Sequence, residues 1–147
     1  MTRFRGLLSP AVVTLLALPL FALGCTETPA APTTTAPFTH TDLRIGTGAE
    51  AATGQVLDVN YTGWLYDATR PEQKGLQFDT STGRSPLTFT VGSGQVIKGW
   101  DSGLPGMKVG GRRRLIIPPS LGYGATRSGP IPPNATLVFD IDLLNVK

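Results

Sequence analysis

The sequence predicts an α+β fold, in which a mainly antiparallel, twisted β-sheet wraps around one short helix. Three observations lead there. Several segments alternate apolar and polar side chains with period two, the pattern of half-buried strands. Only one segment repeats apolar side chains at helical spacing. The 18 glycines and 13 prolines favour many turns over long helices.

The elements are expected in the following order. Leu43 to Ile45 is a short strand candidate, closed by Gly46 and Gly48. From Gln55 to Tyr66, Leu57, Val59, Tyr61 and Leu65 fall on one face and Asp58, Asn60, Thr62 and Trp64 on the other. Asp67 to Gly75 reads as a polar loop containing Pro71. Leu87, Phe89 and Val91 alternate with threonines and predict another strand. Val96, Ile97, Trp100 and Leu104 then recur at helical spacing after Gly92-Ser93-Gly94. Gly99 and Gly103 each weaken that helix by about 1 kcal/mol relative to Ala, so packing must hold it. Two or three turns are expected, ended by Pro105. Arg112 to Ile117 is a strand stopped by Pro118-Pro119, and Ala135 to Val146 is the last, with Leu137, Phe139, Ile141 and Leu143 on one face. Arg113 points opposite to Arg112 and Arg114, and the basic run reads as a solvated sheet face.

Upstream of these elements the composition changes. Arg3 and Arg5 precede a mostly apolar run from Leu7 to Leu23, broken by Pro10 and Pro19, and Ala22-Leu23-Gly24-Cys25 follows. Residues 1–24 therefore read as a secretory signal rather than a spanning helix. The stretch Phe21-Ala22-Leu23-Gly24-Cys25 resembles a bacterial lipobox, although Ala22 stands where Leu is usual. That resemblance implies lipid on Cys25, an exported chain and a membrane anchor. Residues 25–38 are rich in Thr, Pro and Ala and read as an extended spacer, with His40 a solvated residue at its edge. The folded domain is expected over 39–147.

The bulk numbers narrow the function. The net charge of +3 includes Arg3 and Arg5; without them, 11 basic residues face 10 acidic ones, too even a balance for a nucleic-acid binder. Cys25 and His40 are the only cysteine and histidine. Both lie ahead of the expected strands and helix, which argues against a thiol or imidazole nucleophile and against a histidine-ligated metal in the core.

Five segments carry a family resemblance. Val59-Asn60-Tyr61-Thr62-Gly63-Trp64-Leu65 resembles the first core strand of the FKBP isomerases. Phe78-Asp79-Thr80-Ser81 resembles their Phe-Asp-Ser-Ser segment, Val96-Ile97-Lys98-Gly99-Trp100 their short helix, and Gly110 to Gly124 their next strand and loop. Ile131 to Asp140 resembles their closing strand. The segments run in the family's order from about Thr39 to Lys147. The resemblance implies an FKBP-like fold and rotation about X-Pro peptide bonds, with no cofactor and no metal. Expected partners are proline-containing polypeptides and macrolide inhibitors of the family. With no helical dimerisation segment ahead of the domain, a monomer is expected.

The resemblance also assembles a cavity. It implies Trp100 as the floor, Tyr61, Phe78, Leu87, Val96, Ile97 and Phe139 as the lining, and Tyr123 and Ile131 on loops above. Tyr123 is expected to offer its phenolic proton to a substrate carbonyl. Asp79 is expected either to polarise the bound amide or to accept a hydrogen bond from Tyr61. These two are the catalytic candidates. Leu87 stands where an aromatic wall is frequent, Gln95 replaces a common Glu, the Leu65–Phe78 loop is longer than usual, and the Tyr123–Ile131 loop is shorter. A binding module that recognises proline with little turnover is the competing reading; a carbohydrate or nucleic-acid binder has no supporting motif.

Overall fold

A computed structural model describes residues 35–147. The expected signal segment, Cys25 and most of the spacer lie outside the described residues.

Among the described residues, six strands form one sheet: β1 (Thr39–Arg44), β2 (Val56–Tyr66), β3 (Lys74–Thr80), β4 (Leu87–Thr90), β5 (Arg112–Ile117) and β6 (Leu137–Val146). The spatial order is β1-β5-β6-β2-β3, and each of these pairs is antiparallel. The long β2 pairs with β6 along one edge; on its other edge the first half takes β4 and the second half takes β3. The inward faces carry Leu57 and Val59 from β2, Leu115 and Ile117 from β5, and Leu137, Phe139, Ile141 and Leu143 from β6, all buried. The alternation predicted for β2 and β6 is therefore the pattern that builds the core.

The helix α1 (Lys98–Gly103) is shorter than expected, fewer than two turns. It sits close to β5 because Gly99 and Gly103 face that strand. A Cβ on Gly99 would lie 2.6 Å from the Ile117 side chain, and one on Gly103 would lie 2.7 Å from Leu115. Absence of side chains at these two positions thus offsets their poor helix propensity by allowing close approach.

Three expectations need correction. The polar loop is partly ordered: a 3-10 turn at Pro71–Gln73 leads directly into β3, and Gly75 lies within that strand. His40 belongs to the edge strand β1, exposed and paired with Leu115 of β5. The Arg112–Arg114 run is not a solvated face. Arg113 is 6% exposed, donates to both carboxylate oxygens of Asp42 at 2.6 and 3.1 Å, and reaches the carbonyls of Gly103 and Pro105 at 2.8 and 3.2 Å. It ties the edge strand to the end of α1. On the outer face, Arg114 donates to both oxygens of Asp140, and Lys74 donates to the same carboxylate.

Packing also extends upstream of β1, where Ala36 is buried and Phe38 lies against the core. Among the described residues, no helix is long and apolar enough to cross a membrane.

Candidate active site

One cavity of about 380 Å³ opens between α1 and the sheet. Tyr61 comes from β2, Phe78 and Asp79 from β3, Leu87 from β4, and Phe139 from β6. Gln95, Val96 and Ile97 line it from the segment leading into α1, Trp100 from α1 itself, and Tyr123 from the loop after β5. Period two sets this arrangement on β2 and β6, because Tyr61 and Phe139 share the core-facing rows of Val59 and Ile141.

Trp100 is 4% exposed and is held edge-on by two aromatic rings. Its ring centroid lies 5.2 Å from Tyr61 at 76° and 5.2 Å from Phe139 at 90°. Phe89 packs against it at 5.7 Å, and Phe78 meets Phe139 edge-on at 5.5 Å. Such edge-to-face pairs contribute about 0.5–1.5 kcal/mol each beyond area burial. Gly63 makes room for this cluster, since a Cβ there would fall 2.7 Å from both Phe78 and Phe139.

The polar part of the lining is a connected set. The Tyr61 hydroxyl donates to Oδ2 of Asp79 at 2.6 Å. Oδ1 of Asp79 accepts from the Thr80 backbone N–H at 2.9 Å and from Arg84 at 2.5 Å. Arg84 also donates to the Thr80 carbonyl. Burial alone would raise the Asp79 pKa, but the hydrogen bonds from Tyr61, Arg84 and Thr80 outweigh it and hold the carboxyl below its usual range. Burial, followed by the bond to Asp79 and its charge, pushes the Tyr61 phenol up to about 12. Burial and the Asp79 charge also raise Tyr123. Near neutral pH the site therefore holds two protonated phenols and one ionised carboxylate. Among the described residues, no hydrogen bond uses the Tyr123 hydroxyl, which leaves its proton available to a bound carbonyl.

The structure brings together Tyr61, Phe78, Asp79, Leu87, Val96, Ile97, Trp100, Tyr123 and Phe139. Ile131 stands apart: it is 4% exposed within the core and does not line the cavity. Sequence reasoning missed Arg84 and Phe89. Arg84 follows Gly83, whose φ of +78° turns the chain back toward Asp79. That Asp-x4-Arg spacing, with a glycine before the arginine, was the available signal. Phe89 alternates inward from β4, but pattern alone does not distinguish backing for an active-site ring from ordinary core. Among the described residues, no group of three or more His, Cys, Asp or Glu side chains is placed to hold a metal ion.

Comparison with known proteins points the same way. Residues 48–144 match the family described as FKBP-type peptidyl-prolyl cis-trans isomerase. The chain is 52% identical over 107 residues to an FK506-binding protein of Neisseria meningitidis, covering 71% of this chain and 92% of the relative. It is 49% identical over 100 residues to the peptidyl-prolyl cis-trans isomerase FKBP15-3 of Arabidopsis thaliana, covering 68% of this chain and 66% of that one. Among solved structures, the crystal structure of AtFKBP13 superposes with a TM-score of 0.65 at 39% identity, over 78% of this chain and 98% of that one. FkpA from Escherichia coli gives 0.64 at 40%, over 75% of this chain and 48% of that one.

Proposed function

Because the chain belongs to the FKBP-type peptidyl-prolyl cis-trans isomerases, we propose that it rotates X-Pro bonds of exported polypeptides, with the prolyl ring seated on Trp100. The observation that carries this reading is the joining, in one cavity, of an aromatic floor to a phenol–carboxylate pair whose proton is already placed.

The chemistry asks for no more. Amide resonance sets a rotation barrier of about 18–20 kcal/mol. Uncatalysed X-Pro exchange takes about tens to hundreds of seconds. Rotation breaks no covalent bond. The planar amide is polarised and well solvated in water, whereas the twisted form has lost that resonance. An apolar cavity that strips the water away disfavours the planar form relative to the twisted one. Tyr123 donates its free phenolic proton to a carbonyl of the substrate and orients it. Asp79 stays ionised and fixes the Tyr61 ring through their hydrogen bond, so neither changes protonation during the reaction.

Export and anchoring rest on the sequence. The Arg3–Leu23 pattern and the Phe21–Cys25 stretch support a cleaved leader and a lipidated Cys25, with the Thr/Pro-rich spacer holding the domain off the membrane. There the enzyme acts as a monomer on newly delivered chains whose folding waits on proline. Two measurements test this reading. The mature N-terminus should be a Cys25 carrying lipid mass; an unmodified Cys25, or a different N-terminus, would remove the anchor. The enzyme should accelerate the proline-limited refolding phase of an exported protein; an unchanged phase would favour a proline-binding adaptor.

A further inference from the structure

We infer that Asp101, which does not touch the cavity, is the positioning residue that sets the distance between its floor and its Gln95–Ile97 wall. The inference rests on the cavity being the prolyl site.

Asp101 follows Trp100 in α1, so the helical turn that supplies the floor also carries this carboxylate. Its two oxygens reach back to the loop between β4 and α1. Oδ1 accepts the Gly92 N–H at 2.7 Å and Oδ2 accepts the Gly94 N–H at 3.0 Å. Both glycines have left-handed backbones, with φ of +82° and +75°. This conformation is open to glycine without steric cost and here turns the two N–H groups onto one carboxylate. Hydrogen bonds to an ionised acceptor are roughly twice as strong as neutral ones.

The same loop is cross-braced. Gln95 Oε1 accepts the Thr90 N–H at 2.7 Å, and Ser93 Oγ donates to the Thr90 carbonyl at 2.7 Å. On its far side Gly92 lies so close to Thr53 that a Cβ would fall 2.4 Å from the Thr53 methyl. The loop is therefore pinned to Thr53 on one side and to the Asp101 carboxylate on the other. Directly after these pinned residues come Gln95, Val96 and Ile97, all lining the cavity. Loss of the carboxylate would release the wall while leaving Trp100 under its aromatic neighbours. Substrate binding should suffer first.

The test is steady-state kinetics on a Xaa-Pro peptide with Asp101→Asn and Asp101→Ala, together with amide exchange of Gly92 and Gly94. Asp101→Asn keeps the shape but offers a single acceptor oxygen to two N–H groups. Both variants should raise KM about tenfold with kcat nearly unchanged, the signature of lost binding that is equal in ground and transition states, and the two glycine amides should exchange faster. Gln95→Ala should act in the same direction and combine less than additively with Asp101→Ala. An unchanged KM in Asp101→Asn alongside faster exchange would overturn the inference, as would equal losses in kcat and thermal midpoint with KM held. Ile97→Ala separates the two readings. If it leaves KM and kcat untouched, the cavity itself is not the site; if it impairs them while Asp101→Asn does not, only the role of Asp101 fails.

Discussion

The Tyr61 hydroxyl and the Asp79 carboxylate are joined by a 2.6 Å hydrogen bond that crosses from β2 to β3 inside the cavity lining. Every other acceptor direction of Asp79 that the structure uses is taken by its own strand or by Arg84. The carboxylate thus acts on the Tyr61 ring. Asp79→Ala should lower kcat/KM about 10- to 150-fold, because a hydrogen bond to a charged group contributes about 1.5–3 kcal/mol. Arg84 is exposed, and its pairing with Asp79 faces water. Arg84→Ala should cost less than about fivefold, within the roughly 0–1 kcal/mol of exposed pairs. Equal losses in the two variants would contradict this ranking.

The pH profile follows from the same groups. Asp79 titrates below its usual range and Tyr61 near 12, so neither changes charge near neutrality. His40 lies on β1 and does not line the cavity. The expected kcat/KM is flat between about pH 5 and about pH 9, and a bell-shaped profile in that range would demand a titrating acid or base that the site lacks.

Gly99 should be intolerant of a methyl group. A Cβ would press on Ile117, lifting α1 from β5 and Trp100 with it. Gly99→Ala should destabilise the protein by about 1–3 kcal/mol in urea unfolding, the cost of overpacking, despite its gain in helix propensity. It should also lower kcat/KM. Ser102→Ala, at an exposed position of the same helix, should change neither.

Asp140 is 2% exposed on the outer face, where Arg114 and Lys74 converge on it. Burial alone would raise its pKa; the hydrogen bonds and charges of Arg114 and Lys74 outweigh that, so the folded value lies below the ordinary 3.8. Its stabilising contribution is therefore present above the unfolded value and is lost as pH falls through the folded one. Asp140→Ala should cost about 1.5–3 kcal/mol near neutral pH, because it removes the buried charged acceptor of the part-buried Arg114 and Lys74, which keep only the exposed Glu72. The stability gap between parent and variant should narrow below about pH 4. A gap that stays constant into stronger acid would contradict the assignment.

Much of this architecture is legible in the residues. Leu57, Val59 and Tyr61 on β2, and Leu137 to Leu143 on β6, alternate because one face is core and the other faces outward. The β3 strand escaped that reading. Its Lys-Gly-Leu-Gln-Phe-Asp-Thr run carries a glycine, an exposed Leu76 and bulges against β2, so pairing rather than periodicity makes it a strand. Arg113 escaped because its burial depends on Asp42, 71 residues away, and on the end of α1. Ile131 and Arg84 show the same limit from both sides. Which loop residue reaches a cavity depends on backbone turns such as that at Gly83, and these leave only faint marks in composition.

The two tryptophans offer the most direct measurement. Trp100 floors the cavity, whereas Trp64 lies on the outer face beneath Lys74, whose Nζ is 4.3 Å from its ring. A Xaa-Pro peptide added to the full chain should show cis–trans exchange faster than the uncatalysed tens to hundreds of seconds. In the same NMR titration the Trp100 indole N–H should shift and the Trp64 indole should not. Fast exchange with a still Trp100 and a shifting Trp64 would place the reaction elsewhere on the molecule, and absence of acceleration would contradict the account of catalysis itself.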